Sequence, residues 1–397
     1  MLVWPRPAER FEAIVRSLQV QRILLVLPSE DVGGTELHTA ALAHALQQQG
    51  MEAILSCDPA LSGRLRPSFP DLNFHEAPVS WIAKDGAAAA SAAQAAEVAT
   101  LLEALRPDAV VLALPWPNFG LGALRAVAEA RLPLMVVSHL APASGRLSGM
   151  DAMPWPLTQA GLAWIAVSEP VARRTEQLFD MPPGILRVIP NGVDLPPAPP
   201  LGEEARLRAA LRAELDVAPE TPVALFAGRL EEAKGADRLP EIAAAFHAAC
   251  GGVVACAGRG SWRVRLSGLG KGPLRLLGYR QDVDRLLLAS DALLLPSRIE
   301  GLPLIYLEAA MRRRPVVASH AALACFGPLA AERALLVPDD DLPGYARMLE
   351  QAVWREPSAQ VRAVVEEAWY QASTHDRAAM YEAYLSALRG LCALSPA

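Results

Sequence analysis

The chain has 397 residues, of which 52% are hydrophobic and 20% are charged, and its formal net charge is −6. This composition excludes a disordered protein, and the negative net charge gives no support for a nucleic-acid partner. Because the length exceeds what one ordinary hydrophobic core holds, we expect two domains.

The five cysteines are an odd number and show no CxxC spacing, so disulfides and structural zinc are not expected. A reducing cytoplasm is therefore the predicted location. Residues 1–20 place apolar side chains at helical spacing among charged ones, which predicts an extra N-terminal helix and excludes a signal-peptide core. This helix is expected either to cover the first domain or to lie on the inner face of the cytoplasmic membrane.

The first half of the chain alternates apolar strands with helices. Residues 22–27 form the continuous apolar run of a buried parallel strand, and Gly33 and Gly34 then lead into a helix that Gly50 closes. Further strands are predicted within residues 51–57, 109–115, 134–140 and 161–168. Such alternation predicts a parallel sheet with helices on both faces and ligands beyond the carboxyl ends of its strands.

Two features of this half could contact a ligand. His139 stands at a strand end; a histidine there is often structural, but a flexible loop of small residues follows, so a contact with a substrate hydroxyl is the other interpretation. Gly33 and Gly34 let the backbone approach a ligand closely, although many glycine pairs only join a strand to a helix.

Residues 196–203 contain four prolines, which is the composition of an interdomain linker. The prediction is therefore a first domain at residues 1–195, a second at 204–367, and C-terminal helices at 368–397. In the second domain, Gly228 and Arg229 follow a strand, and Lys234 comes five residues after Arg229. This pair is either solvated surface or a diphosphate clamp, and the adjacent glycines favour the clamp.

Residues 276–319 read as strand, turn, helix, strand, loop, helix, strand. Glu300 falls in the loop, Pro303 is the predicted first helical residue, and Glu308 lies more than one turn inside the helix. A loop that leads into a helix presents unpaired backbone N–H groups, which suit a phosphate. With two glutamates to accept hydroxyl groups, the pattern predicts a nucleotide-sugar site.

Residues Asp339 to Asp341 form an acidic triplet that could be mistaken for a metal site. A predicted helix begins directly after them, so we interpret these aspartates as a helix cap. No metal site is expected.

Four motifs, in their order and spacing, resemble those of the retaining glycosyltransferases of family four: Gly33-Gly34, residues 189–194, Gly228-Arg229 with Lys234-Gly235, and Glu300-Gly301-Leu302-Pro303 with Glu308. The resemblance covers most of the chain. It implies the α/β GT-B fold, in which two Rossmann-like, doubly wound parallel-sheet domains face a cleft and the C-terminal helices cross back to the N-terminal domain. The second domain would hold the nucleotide sugar and the first the acceptor.

The resemblance also implies roles for single residues. Arg229 and Lys234 would bind the donor diphosphate, while Glu300 would face the transferred sugar. Glu308 would hold the ribose hydroxyls, and His139 would contact the sugar near its anomeric centre. The other implied donor contacts are Gly33, Gly34, Gly228, Gly278, Tyr279, Arg280, Gly301, Leu302, Leu304 and Ile305, with the base near residues 278–282.

The implied enzyme is a retaining hexosyltransferase that uses a nucleotide sugar, with UDP-sugar favoured. Its acceptor would be a saccharide or a lipid-linked glycan in polysaccharide, lipopolysaccharide or cell-surface glycan synthesis. No cofactor or metal is expected, because fixed cations would stabilise the leaving diphosphate. The alternatives are a nucleotide-sugar 2-epimerase on the same fold and a non-catalytic sugar-nucleotide-binding protein.

Overall fold

The computed structural model describes residues 21–81, 86–142, 144–150, 161–268, 272–354 and 356–393. The helix predicted for residues 1–20 lies outside these ranges. The chain divides into two compact units: Met1–Asn191 with Arg377–Ala397, and Gly192–Asp376. For comparison, the predicted domains end at residues 195 and 367.

In the described part of the first unit, seven strands form a parallel sheet in the order β3-β2-β1-β4-β5-β6-β7. The strands are β1 (Arg22–Leu27), β2 (Glu52–Cys57), β3 (Phe74–Glu76), β4 (Ala109–Leu114), β5 (Leu134–Ser138), β6 (Leu162–Ala166) and β7 (Arg187–Val188). The helices are α1 (Gly34–Gln48), α2 (Pro59–Leu65), α3 (Ala87–Leu105), a 3₁₀ helix (Pro117–Gly120), α4 (Leu121–Glu129) and α5 (Glu169–Leu178).

In the described part of the second unit, six strands form a parallel sheet in the order β10-β9-β8-β11-β12-β13. These are β8 (Val223–Ala227), β9 (Val253–Ala257), β10 (Leu274–Gly278), β11 (Ala292–Leu295), β12 (Val316–Ser319) and β13 (Leu335–Val337). The helices are α6 (Glu203–Glu214), α7 (Leu239–Cys250), α8 (Arg263–Ser267), α9 (Val283–Ala289), α10 (Leu304–Met311), α11 (Ala330–Arg333), α12 (Leu342–Val353) and α13 (Ala359–Ser373). Three 3₁₀ helices span Glu232–Lys234, Ala236–Arg238 and Ala324–Leu329.

The last helix, α14 (Arg377–Ala393), belongs to the first unit. Its buried side chains pack into the same core as strands β1, β2 and β4; they are Met380, Tyr384, Leu385, Leu388 and Leu391. Burial of a leucine side chain contributes about 2 kcal/mol. The chain therefore leaves the first unit, builds the second, and returns to complete the first core.

Both sheets reverse their strand order at one point, between β1 and β4 in the first unit and between β8 and β11 in the second. Ligands of doubly wound sheets bind beyond the carboxyl ends of strands at such a point. In the second unit Asp291 aligns the amino ends of β8 and β11. Its Oδ2 accepts the Val223 N–H at 2.7 Å, and its own N–H donates to the Val223 carbonyl at 2.8 Å. The predicted pair of doubly wound parallel sheets is confirmed.

Among the described helices, none combines the length and the apolar character that crossing a bilayer requires.

Candidate functional site

Two loops of the second unit meet at the carboxyl ends of β8 and β11. Gly235 in the first loop has φ +75°, and a Cβ at this position would lie 2.2 Å from the Pro296 carbonyl oxygen in the second loop. Any other residue would clash with that carbonyl as well as strain the backbone. The glycine after Lys234, which the sequence singled out, is therefore required by a backbone contact.

Two arginines tie these loops together. Arg298, which follows β11, donates to both carboxylate oxygens of Asp237 at 2.6 Å each and to the Glu232 carbonyl at 2.7 Å. Arg238 is buried and donates to the Pro296 carbonyl at 3.1 Å. A bidentate arginine pair holds a fixed geometry. The loop that carries Lys234 is thus anchored to the loop that carries Glu300.

Lys234 and Glu300 form an ion pair between these loops, with Nζ 2.6 Å from Oε2. Their side chains are 20% and 10% exposed, so the pair is largely shielded from water. The other carboxylate oxygen of Glu300 accepts the Ser297 hydroxyl at 2.8 Å. Ser297 was not predicted, although a polar residue two positions after a buried apolar strand is a signal that could have found it.

Burial governs the charge of the thiol near Glu300. Burial, with a smaller contribution from the Glu300 carboxylate, raises the pKa of Cys325 to about 12. Since a thiolate is the nucleophilic form of cysteine, Cys325 stays protonated and unreactive at neutral pH.

Helix α10 begins one residue later than predicted. Pro303 is its N-cap, with φ −70° and ψ 117°, and the Pro303 carbonyl accepts the Tyr306 N–H at 3.1 Å. Leu304 and Ile305 are therefore the first helical residues, and their N–H groups have no carbonyl partner within the helix. Gly301 and Leu302 are buried before it, and half-buried Glu308 follows one turn later.

Strands β8, β9 and β10 end in or next to glycines that pack closely together. A Cβ on Gly258 would lie 1.9 Å from the Gly228 carbonyl oxygen, and the Gly258 N–H donates to the Gly278 carbonyl at 2.7 Å. Arg229, next to Gly228, is half-buried. The predicted residues of the second unit thus lie at or after the carboxyl ends of β8, β10 and β11, and β8 and β11 flank the switch point.

The turn after β10 carries two predicted donor contacts. Tyr279 is 40% exposed, and the Arg259 guanidinium lies over its ring at 4.3 Å from the centroid. Arg280 donates to both oxygens of Asp282 at 2.7 Å and to Glu214 at 2.5 Å. The hydrogen bond to Asp282 raises the pKa of Arg280. Because Asp282 and Glu214 hold the guanidinium of Arg280, the predicted contact of this residue with the nucleotide sugar would be made by its backbone.

The first unit brings Gly33, Gly34 and His139 to its own strand ends. Gly33 caps α1 and Gly34 is its first residue, directly beyond β1. His139 follows β5, and its N–H donates to the Leu114 carbonyl at 3.1 Å. Its ring is buried and meets His38 of α1 edge to face, with centroids 4.8 Å apart. The sequence analysis missed His38, which lies one turn after Gly34.

Both histidines of this pair are neutral at neutral pH. Burial lowers the pKa of His139 well below its usual value, and His38 lowers it further. Burial also lowers the pKa of His38 to about 4, with a further contribution from the positive charge of Arg377. A neutral imidazole can donate a hydrogen bond from one ring nitrogen and accept one at the other.

The prediction of a helix cap holds for Asp341, the last residue of the acidic triplet, whereas the Asp339 side chain accepts the Ala321 N–H at 3.1 Å. The Asp341 side chain accepts the Gly344 N–H at 2.9 Å in the first turn of α12. Within the described ranges, no three His, Cys, Asp or Glu side chains are grouped so that they could hold a metal ion.

Two family profiles match the chain. The profile of Glycosyltransferase Family 4 matches residues 32–196, and that of Glycosyl transferases group 1 matches residues 221–353. A search of curated proteins finds no match.

Solved structures share the fold. A glycosyltransferase from Rickettsia africae is 16% identical, with TM-score 0.75 and coverage of 94% of this chain and 99% of that one. Anabaena HepE in complex with UDP-glucose is 19% identical, with TM-score 0.71 and coverage of 92% and 98%. WaaG, involved in lipopolysaccharide biosynthesis, is 17% identical, with TM-score 0.67 and coverage of 93% and 100%. The chain therefore has the GT-B fold.

The buried histidines predict how stability depends on pH. Because folding lowers the pKa of His38 from 6.5 to about 4, the unfolded chain takes up this proton at a higher pH than the folded chain. The free energy of unfolding should therefore fall as the pH drops through this window, by about 3 kcal/mol for His38 alone. Urea unfolding at pH 7.5, 6 and 5 measures the slope.

A variant pair isolates this contribution. His38→Phe should flatten the slope, whereas His44→Phe, on the same helix but against Phe69, should keep it. Equal slopes in both variants would contradict the assignment.

Proposed function

This chain belongs to the glycosyltransferases of family 4 and group 1, and we propose that it transfers a hexosyl unit from a UDP-sugar to a saccharide or glycolipid acceptor with retention of configuration. The observation that carries the proposal is the Lys234–Glu300 ion pair, which joins the loop after β8, where Arg229 also lies, to the loop that leads into α10. It places cations, a carboxylate and helical N–H groups at one switch point, and these are the groups that a sugar diphosphate requires.

The cations serve the leaving group. When the bond between the sugar and the phosphate breaks, negative charge develops on the diphosphate, and Lys234 and Arg229 stabilise that charge. The N–H groups of Leu304 and Ile305 add the positive end of the helix dipole. Since the loops that bear these groups are held by Arg298 and Arg238, little rearrangement accompanies the reaction.

The proton balance of the proposed step needs no protein base. The bond from the anomeric carbon to the phosphate oxygen breaks, and the acceptor oxygen bonds to that carbon on the same face. The acceptor's proton passes to the leaving phosphate oxygen. Glu300, held by Lys234 and Ser297, contacts the transferred sugar and is not a nucleophile.

The remaining roles follow the family motifs. Glu308 accepts the ribose hydroxyls, and the base lies near Tyr279 and the backbone of residues 278–282. In the first unit, Gly33 and Gly34 bring backbone close to the ligand, and neutral His139 contacts the transferred sugar.

The proposed setting is the cytoplasm, in synthesis of a polysaccharide, lipopolysaccharide or other surface glycan. Among the described residues Cys57, Cys250, Cys256 and Cys325 are free thiols, in keeping with a reducing compartment. HepE is described with UDP-glucose and WaaG with lipopolysaccharide biosynthesis, and these names support the choice of donor and setting.

Donor class and metal dependence are tested together. UDP-, GDP- and ADP-hexoses are compared for their effect on the melting temperature and for nucleotide release, each with and without EDTA. We expect a UDP-sugar to give the largest shift, and we expect turnover to be unchanged by EDTA. Turnover restored only by added Mn²⁺ would overturn the metal-free proposal.

Loss of the Lys234 charge should abolish most transfer. Lys234→Met keeps an unbranched side chain one atom shorter but removes the charge, and we expect kcat to fall by about two to three orders of magnitude. The matched control is Arg206→Ala, which removes an exposed cation from a surface ion pair with Glu203. Release of UDP at saturating donor is the measurement. A Lys234→Met enzyme within threefold of wild type would remove Lys234 from the clamp.

Glu308→Gln should weaken UDP binding. A carboxylate that accepts ribose hydroxyls forms charge-assisted hydrogen bonds worth about 1.5–3 kcal/mol, so we expect the Kd for UDP to rise by about tenfold or more. Calorimetry measures it, with Glu241→Gln, an exposed glutamate of α7, as the control. Equal affinity in the two variants would exclude the ribose role.

A further inference from the structure

Three aromatic rings from distant parts of the chain pack in a row inside the first unit. His139 follows β5, His38 lies in α1, and Tyr384 lies in α14. The His38 ring centroid is 4.8 Å from that of His139 and 5.5 Å from that of Tyr384. The three side chains are at most 6% exposed. His38 is therefore the ring that joins the strand-end histidine to the C-terminal helix.

Buried polar atoms of this row have no hydrogen bond to the residues that the structure describes. Within the described residues, His139 Nε2, both ring nitrogens of His38 and the Tyr384 hydroxyl are buried without a hydrogen bond. A histidine ring at a functional site is usually oriented by a hydrogen bond to one of its nitrogens. Nε2 of His139 has no such bond within the described residues, so the edge-to-face contact with His38 contributes to the orientation of its ring.

We propose that His38 is a positioning residue for His139, whose ring it holds edge to face, and that Tyr384 of the C-terminal helix supports His38 from the other side. Edge-to-face pairs of rings contribute about 0.5–1.5 kcal/mol beyond the area they bury, and they favour one relative orientation. His38 sits four residues after Gly34, so the same helix presents the glycine turn and fixes the histidine. The proposal rests on the proposed role of His139 in transfer.

This role differs from that of the second-unit residues proposed to bind UDP. Lys234, Glu300 and Glu308 belong to the second unit, whereas the three rings belong to the first. A change at His38 should therefore lower kcat and leave the affinity for UDP alone. A misplacement of about 1 Å can cost about a hundredfold in rate.

The test compares His38→Phe with His38→Leu in the full chain. Phenylalanine keeps a ring in place, whereas leucine fills much of the volume without one. We expect His38→Leu to lower kcat by about 10- to 100-fold with the Kd for UDP within twofold of wild type, and His38→Phe to stay within threefold in both. The control is His44→Leu. His44 lies in α1, as His38 does, but its ring packs on Phe69.

A spectroscopic readout makes the test independent of turnover. In protein labelled with ¹⁵N-histidine, the ring signals of His139, assigned with His139→Gln, should shift in His38→Leu and hold in His38→Phe. Tyr384→Leu should shift them in the same sense, and Tyr384→Phe should not. Melting temperatures identify any variant that fails to fold. The variants that do fold still show whether the His139 signals depend on His38 and Tyr384.

Three outcomes would overturn the proposal: unchanged His139 signals in both leucine variants, equal loss of kcat in His38→Phe and His38→Leu, or a loss of UDP affinity that accounts for the loss of turnover. Failure of the proposed function looks different. In that case the wild-type chain neither binds UDP nor turns over a UDP-sugar, while the His139 signals still respond to His38→Leu.

Discussion

The contact between the backbones of Gly235 and Pro296 is the constraint on which the charged part of the site depends. It brings the loop after β8 against the loop after β11, and Arg298 and Arg238 lock the two together. Only then can Lys234 reach Glu300 across the strand ends. A shielded ion pair is costly to form unless its geometry is held and its remaining atoms are satisfied. Here the loops hold the geometry, and Ser297 satisfies the second carboxylate oxygen.

The two units meet different chemical demands. The second presents fixed charge, in which cations, a carboxylate and a helix start lie at one switch point. The first presents a buried, neutral imidazole beside a glycine turn. Desolvation explains both, because it strengthens a paired charge and removes the charge from a histidine that has no counter-ion. The units therefore supply a polarising environment and an uncharged hydrogen-bonding group by the same physical means.

Local patterns predicted much of this architecture. The apolar runs at residues 22–27 and 223–227, with their glycine turns, identified the two parallel sheets, and the spacing of Glu300 and Glu308 identified the loop and helix at the second switch point. What could not be predicted were contacts made across long separations in the sequence. Arg298 on Asp237 and Tyr384 against His38 each join segments that are far apart in the sequence, and periodicity does not contain that information.

The return of α14 to the first core also determines which unit completes its core first during translation. Residues 192–376 are contiguous, so the second unit has its whole core once that segment has left the ribosome. The first unit, although synthesised earlier, lacks Tyr384 and its neighbouring leucines until translation ends. The apolar face of its sheet that α14 covers therefore stays exposed while about half the chain is synthesised. This delay follows from the large sequence separation between α14 and the strands that it contacts. The first unit to emerge is thus the last to complete its core, and a chain interrupted before α14 would contain a complete core in the second unit and an incomplete core in the first.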